Sequence, residues 1–245
     1  MSQNNVVVLD NVSLSYKTES GRKTLKSALT DRKKSSSTDS SRHFQLQNIN
    51  LQIKHGEQIG IIGRNGSGKS TLLKLVAGVL RPDIGKVSID GEITPLIDIG
   101  TGMHPDLTCK DNIFLSGAYL GFSRKQMQSH FDFIVNWAEI QSNLDELFHT
   151  LSTGTQSRLA FAVATCQTPD IILVDEIMSV GDIAFQRKSK IRMEELKNSG
   201  SAVLIVSHDL DYLQNYVSRV IWIKDGEIVA DGPTKEIIDS YKASF

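Results

Sequence analysis

The sequence contains little cysteine and no long apolar run, and both absences limit the kind of protein it can encode. Only two cysteines occur among 245 residues, Cys109 and Cys166. They are too few for a disulfide scaffold and too far apart for a CxxC motif, so we expect buried, reduced thiols. The longest apolar runs, such as AVLIV and IILV, are far shorter than the roughly 18 residues of a membrane-spanning helix. The sequence therefore predicts neither disulfides nor a membrane span.

Charge of one sign is not in excess. The chain has 27 Lys and Arg against 28 Asp and Glu, a formal net charge of -1. A general nucleic-acid binder needs a clear cationic excess to contact phosphates, so no nucleic-acid partner is expected. The N-terminus MSQNNVVVLD has neither a basic start nor an apolar stretch with a cleavage site, which predicts a cytoplasmic chain. The length suits a single domain.

The N-terminal quarter is predicted to hold two strands. Apolar and polar side chains alternate from Val6 to Tyr16 and again from Ile49 to Ile53, which is typical of half-buried strands, and we expect the two to pair. A Ser- and Lys-rich insert at about 18–43 lies between them and has little to bury. It should be a loop, with at most a short helix around Leu25 to Leu29.

The rest of the chain alternates strands with helices. A compact strand (EQIGIIG) is followed by a glycine loop and a predicted helix from Ser70 to Val79. A mostly helical stretch is expected from about Asp111 to Phe148. Two buried strands, IILVDE and AVLIVSHD, then flank a helix predicted from about Ile183 to Lys197. This alternation predicts an α/β protein with a parallel sheet and a separate helical lobe.

The glycine loop fits the phosphate-binding pattern GxxxxGK[ST], with a strand before it and a helix after it. Backbone N–H groups of such a loop surround the phosphates of a nucleotide, and the helix N-terminus adds positive potential. Lys69 should neutralise the phosphates, and the Ser70 hydroxyl should ligate Mg²⁺. The alternative is a structural Gly-rich turn. The predicted ATP-binding residues are Gly63, Arg64, Asn65, Gly66, Ser67, Gly68, Lys69, Ser70 and Thr71.

Two acids end the apolar strand IILVDE about a hundred residues later, where parallel sheets bind ligands. We predict that Asp175 holds Mg²⁺, directly or through water. Glu176 is predicted to be catalytic, polarising the water that attacks the γ-phosphate. The alternative is that both acids cap the next helix.

Between these two sites stands LSTGTQSRLAFA, and here the sequence resembles the ATP-binding-cassette (ABC) ATPase family, with LSTGT in the place of its LSGGQ signature. The resemblance runs from about Val7 to Gly232, with the motifs in the family's order. It implies a P-loop NTPase fold in one ABC ATPase domain. The implied parts are a RecA-like core (about 1–101 and 151–245), an N-terminal antiparallel β-subdomain and a helical subdomain (about 102–150).

The resemblance also implies roles for single residues and a second copy of the chain. Ser152, Thr153 and Gly154 of the signature should meet the γ-phosphate bound by the opposite subunit, so that two ATP molecules lie between two chains. Asp182, in SVGD, should face the partner subunit. Tyr16 should stack on adenine, although a strand tyrosine alone is more often core. His208 should reach the γ-phosphate and act in catalysis, although a lone histidine is usually structural.

The sequence departs from the family pattern in two places. The signature has Thr153 and Thr155 where relatives have glycine and glutamine, and PLIDIGTGMHPDLT replaces the usual glutamine-bearing loop. Asp98 is the candidate for the missing glutamine, as a metal ligand. A carboxylate near the γ-phosphate adds repulsion unless Mg²⁺ or a proton offsets it, so Asp98 could instead couple to the membrane partner.

The pattern PLIDIGTGMHPDLTCKDN, the STG signature and the insert are together similar to the ABC branch that exports capsular or O-antigen polysaccharide. The branch implies docking on two copies of a polytopic membrane permease at the cytoplasmic face of the inner membrane. No appended carbohydrate-binding domain is expected after Phe245. Teichoic acid or lipid is the alternative cargo, and a non-transport ABC ATPase or a small-molecule kinase with the same phosphate loop is the alternative outside transport. The insert is locally basic, which fits either contact with anionic lipid or the permease, or a solvated loop.

Overall fold

The computed structural model describes residues 4–16, 43–97, 100–175 and 182–245. Nine strands and seven helices are found in this part of the chain. The strands are β1 (Asn5–Tyr16), β2 (His43–Lys54), β3 (Gln58–Ile62), β4 (Ile84–Ile89), β5 (Ile93–Leu96), β6 (Ile171–Asp175), β7 (Ala202–Val206), β8 (Arg219–Lys224) and β9 (Glu227–Pro233). The helices are α1 (Lys69–Val76), α2 (Cys109–Tyr119), α3 (Arg124–Ala138), α4 (Thr153–Ala164), α5 (Ile183–Asn198), α6 (Leu210–Tyr216) and α7 (Thr234–Lys242).

The larger sheet has six strands in the order β5-β6-β7-β3-β8-β9. All neighbours are parallel except the β8–β9 hairpin at one edge, where Trp222 pairs with Ala230. Strands β3, β6 and β7 are almost entirely buried, because helices cover both faces of a parallel sheet. The predicted α/β class and the buried strands are confirmed.

A smaller sheet, ordered β2-β1-β4, covers one side of the molecule. Strand β1 pairs antiparallel with β2, as predicted, and also with β4, so that Val7 lies opposite both Ile53 and Ile89. The alternating side chains of β1 and β2, such as Leu9 and Leu51, pack in one apolar cluster with α1 and strands β3, β6 and β7. The cluster joins the two sheets.

A second compact unit is helical. Helices α2 and α3 pack with α4 around an apolar cluster that includes Ile113, Ile134 and Leu159. Helix α4 also contributes Phe161 to the cluster on the larger sheet, against Phe185 of α5. Helix α4 therefore connects the helical unit to the sheet.

One predicted helix boundary was wrong. Helix α1 ends at Val76 rather than Val79, because Gly78 adopts a left-handed φ of 72° and the chain reverses in a Schellman turn. The predicted mostly helical stretch from about Asp111 to Phe148 contains α2 and α3, and α3 ends where Glu139 adopts a left-handed φ of 60°. A 3₁₀ turn over Phe148–Thr150 follows before α4.

One arginine ties the two sheets together on the side of β9. Arg219 donates to the Gln52 carbonyl at 3.1 Å and to Glu57 at 2.8 Å, and it pairs with Asp231 through two bonds of 2.6 and 2.7 Å. Its side chain is 25% exposed. No helix in the described ranges is long and apolar enough to cross a membrane.

Candidate functional site

The carboxyl ends of three adjacent strands define the candidate site. Asp175 is the last residue of β6 and lies opposite Val206, the last residue of β7. Strand β3 lies on the other side of β7 and leads directly into the glycine loop at Gly63. The topology therefore brings Asp175, the loop and His208, two residues beyond β7, to one edge of the sheet, as expected for a ligand site of a parallel sheet.

The glycine loop uses its glycines for two purposes. Gly68 has a φ of 108°, and a Cβ atom there would lie 2.8 Å from the Gln45 carbonyl oxygen. Gly66 has a φ of 79°, but a Cβ there would meet nothing within 4 Å. The first glycine thus allows close packing on β2, and the second allows a left-handed turn on the open side of the loop, where a phosphate can approach the backbone.

The N-terminus of α1 has no side-chain cap. Gly68 occupies the N-cap position and has no side chain that could accept from the first-turn amides, and no acid lies in the first turn. The start of α1, from Gly68 to Thr71, faces the cleft. An uncapped helix start of this kind binds anions.

Lys69 is held inside the loop, with only 6% of the residue exposed. Its ammonium group donates to the carbonyl oxygens of Gly63 at 2.9 Å and Arg64 at 3.0 Å. These bonds orient the lysine across the loop, so its charge lies beside the phosphate-binding backbone. A buried ammonium interacts strongly with a nearby anion because little water screens it.

These groups line one open cleft of about 210 Å³. The lining residues are Gln45, Asn65, Gly66, Gly68, Lys69, Ser70, Thr71, Asp175, Val206 and His208. The cleft combines cationic and N–H groups for phosphates with the Ser70 hydroxyl and the Asp175 carboxylate. Hydroxyl and carboxylate oxygens suit Mg²⁺, which prefers one or two protein ligands together with phosphate and water. No group of three or more His, Cys, Asp or Glu in the described part offers a complete metal cage.

The β8–β9 hairpin supports the loop from the other side. The amide of Gly226 donates to the Ser67 carbonyl at 3.1 Å, and the Gly226 carbonyl accepts from Gln47 at 2.8 Å. The hairpin turn is thus fixed between the phosphate loop and β2. Sequence reasoning missed both this support and Gln45 in the cleft, because neither belongs to a local pattern.

The predicted signature lies at the start of α4. Ser152 is its N-cap and, like Thr153, is exposed, while Gly154 is half-buried in the first turn. Asp182 is exposed too and caps α5, its carboxylate accepting from Phe185 at 2.7 Å. None of these four signature and SVGD residues is among those that line the described cleft. Within one chain, the signature and the phosphate loop are therefore separate surfaces.

Several predicted site residues lie outside the part that the structure describes. These are Glu176, Asp98, the first three residues of SVGD and the basic insert. Tyr16 is described only by its backbone, which pairs with His43 at the end of β1. The predicted roles of these residues, and the contacts of all site residues with ATP, remain predictions.

The two cysteines are buried in the helical unit, as predicted. Burial raises the pKa of Cys109 and raises that of Cys166 from its usual value of 9.0 to about 11. Neither thiol is close to being a thiolate at neutral pH, so both are structural.

Comparison with known proteins identifies the family. Residues 46–179 match the profile of the ABC transporter family. This match covers more than half of the chain, so the protein belongs to that family, as an ATPase of the ATP-binding-cassette type. The phosphate loop, Asp175 and His208 of the cleft are among the motifs that carry the resemblance, whereas the signature lies outside the cleft.

Two relatives are O-antigen export system ATP-binding proteins named RfbB. The protein from Myxococcus xanthus is 40% identical over 87% of this chain, which spans about half (49%) of that relative. The protein from Klebsiella pneumoniae is 36% identical over 83% of both chains. The teichoic acids export ATP-binding protein TagH of Lactococcus lactis is 36% identical over 81% of this chain and 42% of its own length.

A solved structure shares the fold. It is a dimeric ATP-binding cassette in a post-hydrolysis state with ADP and Pi, with a TM-score of 0.71 and 26% identity. The similarity covers 93% of this chain and 98% of that one.

Proposed function

We propose that this protein is the ATP-hydrolysing subunit of an exporter that moves lipid-linked O-antigen or capsular polysaccharide across the inner membrane. The observation that supports the nucleotide chemistry is the single cleft that combines Lys69, the uncapped start of α1, Ser70, Asp175 and His208. The observation that supports export is the similarity to RfbB proteins of two organisms.

Binding begins at the glycine loop. The β- and γ-phosphates of ATP accept hydrogen bonds from the loop and from the first amides of α1, and Lys69 turns its ammonium group from the loop carbonyls to the phosphates. Each charge-assisted hydrogen bond of this kind contributes about 1.5–3 kcal/mol. Tyr16 stacks on the adenine ring and so positions the base end of the nucleotide.

Hydrolysis needs a metal and a positioned water. Ser70 and Asp175 hold Mg²⁺, which neutralises charge on the phosphate oxygens when it is bound. Glu176 follows Asp175 directly and orients the attacking water as general base, while His208 contacts the γ-phosphate. The site residues supply orientation and electrostatic stabilisation rather than covalent chemistry.

A second copy of the chain completes each site. Because the signature does not line the cleft of its own chain, Ser152, Thr153 and Gly154 are free to contact the γ-phosphate of ATP bound by a partner. The resulting dimer holds two ATP molecules, and hydrolysis removes the phosphate that joins the halves. The dimeric state of the related cassette supports this arrangement.

Mixing two inactive variants tests the composite site. Lys69→Met and Ser152→Arg should each abolish ATP hydrolysis, since each damages both sites of a homodimer. In a mixed dimer the two lesions fall in one site and leave the other intact. Random mixing should therefore restore about a quarter of the wild-type sites, because half of the dimers are mixed. Absence of any recovery, or full activity of an isolated monomer, would contradict the proposal.

The membrane partner and the cargo need a cellular test. The chain is proposed to dock on two copies of a polytopic permease at the cytoplasmic face of the membrane, with the basic insert contacting anionic lipid or the permease. Deleting the gene should remove surface polysaccharide while lipid-linked polymer accumulates inside the cell. The similarity to TagH favours teichoic acid as the second candidate cargo, and the chemistry of the accumulated polymer distinguishes the two.

A further inference from the structure

Two helix caps lie next to each other on the surface proposed to face a partner. Ser152 caps α4, and its hydroxyl oxygen accepts from the Thr155 amide at 3.2 Å. Asp182 caps α5 with one carboxylate oxygen and leaves the other free for a second contact. Both caps are exposed, and they are 30 residues apart in sequence.

Two side chains connect these caps. The hydroxyl oxygens of Ser152 and Thr155 are 2.9 Å apart, and Arg158 donates to the Thr155 hydroxyl oxygen at 3.1 Å. The same guanidinium group lies 3.6 Å from the second carboxylate oxygen of Asp182. A continuous chain of polar contacts thus runs from Ser152 to Asp182 through Thr155 and Arg158. Thr155 occupies the position where relatives have glutamine.

The direction of donation is defined at one end of this series of contacts. Arg158 can only donate, so the Thr155 oxygen accepts from it. The Ser152 oxygen accepts from the Thr155 amide, and either hydroxyl group can donate to the other across the 2.9 Å contact. When Thr155 is the donor, the hydrogen of Ser152 is left for donation to an external anion.

The helices that carry these four residues are packed firmly against each other. Trp137 of α3, Phe161 of α4 and Phe185 of α5 pack against each other with ring centroids 5.1–6.1 Å apart. Lys188 of α5 donates to the Trp137 carbonyl at 2.7 Å and to Glu139 at 2.8 Å, and this contact lowers the pKa of Glu139. The starts of α4 and α5 are therefore held at a fixed separation, which the guanidinium group of Arg158 spans.

Arg158 itself depends on these contacts. Its side chain is 22% exposed, and its Nε atom is buried with no partner among the described residues. The two outer nitrogens thus provide the anchoring, one on Thr155 and one on Asp182. Loss of either contact should loosen the whole group.

We propose that Thr155 and Arg158 are positioning residues that connect Asp182 to the signature serine, so that both partner-facing caps adopt their binding geometry together. The proposal rests on the composite ATP site proposed above. A substitution at Asp182 then weakens the contact that Ser152 makes with the partner's nucleotide, although the two residues do not touch. Thr155 makes the connection between Arg158 and Ser152 with a hydroxyl group, at the position where relatives have the amide of glutamine.

The first experiment measures the chain of contacts without nucleotide or dimer. ¹⁵N relaxation of the Arg158 Nε–H group should show a restrained side chain in the wild type. Thr155→Val and Asp182→Asn should each make it mobile, whereas Thr155→Ser, which keeps the hydroxyl group, should not. An Arg158 side chain as mobile in the wild type as that of exposed Arg81 would overturn the proposal.

The second experiment measures the consequence for ATP-driven association, in the Glu176→Gln background so that hydrolysis does not intervene. Thr155→Val should weaken dimer formation by sedimentation about 25-fold to 100-fold, because each of the two sites in the homodimer loses about one hydrogen bond, worth roughly fivefold to tenfold. Thr155→Ser should restore it, and thermal unfolding of the monomer should be unchanged. Asp182→Asn should weaken dimer formation less in the Thr155→Val variant than in the protein that keeps Thr155, because the connection is already broken in the variant.

The outcomes separate the two proposals. If the Glu176→Gln chain does not dimerise with ATP at all, the composite site fails, and the relaxation experiment still decides whether Arg158 connects the caps. If the chain dimerises and the effects of Thr155→Val and Asp182→Asn are additive, the composite site stands and the positioning role is refuted.

Discussion

Gly63 offers a direct test of how closely the phosphate loop packs on the sheet. It follows β3 with a φ of 149°, and a Cβ atom there would lie 2.2 Å from the Ile223 carbonyl oxygen and 2.7 Å from the Ser67 hydroxyl oxygen. Ile223 belongs to β8, the strand beside β3. The substitution Gly63→Ala must therefore displace backbone, because a carbonyl of a central strand cannot rotate away.

The cost of this substitution has two parts. The left-handed backbone costs an alanine about 1–2 kcal/mol, and overpacking against backbone adds about 1–3 kcal/mol. Gly200 provides a matched control, since its φ is 97° but a Cβ there would meet nothing within 4 Å. Gly200→Ala should show the first part only. The difference between the two variants is then the steric cost at Ile223.

Urea unfolding measures both variants, and a fluorescent ATP analogue measures nucleotide affinity. We expect Gly63→Ala to lose about 2–5 kcal/mol of unfolding free energy and most of its ATP affinity. Gly200→Ala should lose about 1–2 kcal/mol and bind ATP normally. Equal destabilisation of the two variants with equal m-values would show that the loop does not press against β8.

Three further predictions concern the loop lysine, the helical unit and its thiols. Lys69→Met should weaken ATP binding about a hundredfold by equilibrium dialysis, since it removes two or more charge-assisted bonds. Asn112 is fully buried and makes four hydrogen bonds to the backbone of residues 104–108. Asn112→Ala should therefore lower the free energy of unfolding by about 2–4 kcal/mol, measured by thermal unfolding. The exposed control Asn136→Ala should stay within about 0.5 kcal/mol. Because the pKa of Cys166 is about 11 in the folded state and near 9 otherwise, the unfolded chain loses this proton first. Stability should thus fall by about 2–3 kcal/mol between pH 9 and 11, and Cys166→Ala should remove that part of the slope in denaturant titrations.

Local patterns predicted the elements that form the nucleotide cleft. Strand β3, the glycine loop and α1 are contiguous in sequence. The run that ends at Asp175 is short and entirely apolar before its acid, which predicts a buried strand rather than a surface helix. Each of these signals is contained in a few consecutive residues. The sheet edge at which they meet followed from the alternation of strands and helices.

The unpredicted features depend on distant residues or weak patterns. Strand β4 has three exposed and three half-buried residues, so it lacks the alternation that identifies a strand, and β5 is only four residues long with Pro95 inside it. The contact of Arg158 with Asp182 requires α4 and α5 to start side by side, which no local pattern encodes. Gln45 enters the cleft only because β2 packs beside the loop.

The four hydrogen bonds of Arg219 have a mechanical consequence. A displacement of the antiparallel sheet against the larger sheet would break the bond from Arg219 to the Gln52 carbonyl of β2, and the guanidinium group that makes this bond is held in place by Glu57, next to β3, and by Asp231 of β9. Swinging α2 and α3 about α4 would break none of them. Arg219 therefore resists displacement of the antiparallel sheet, whereas it places no restraint on the helical unit.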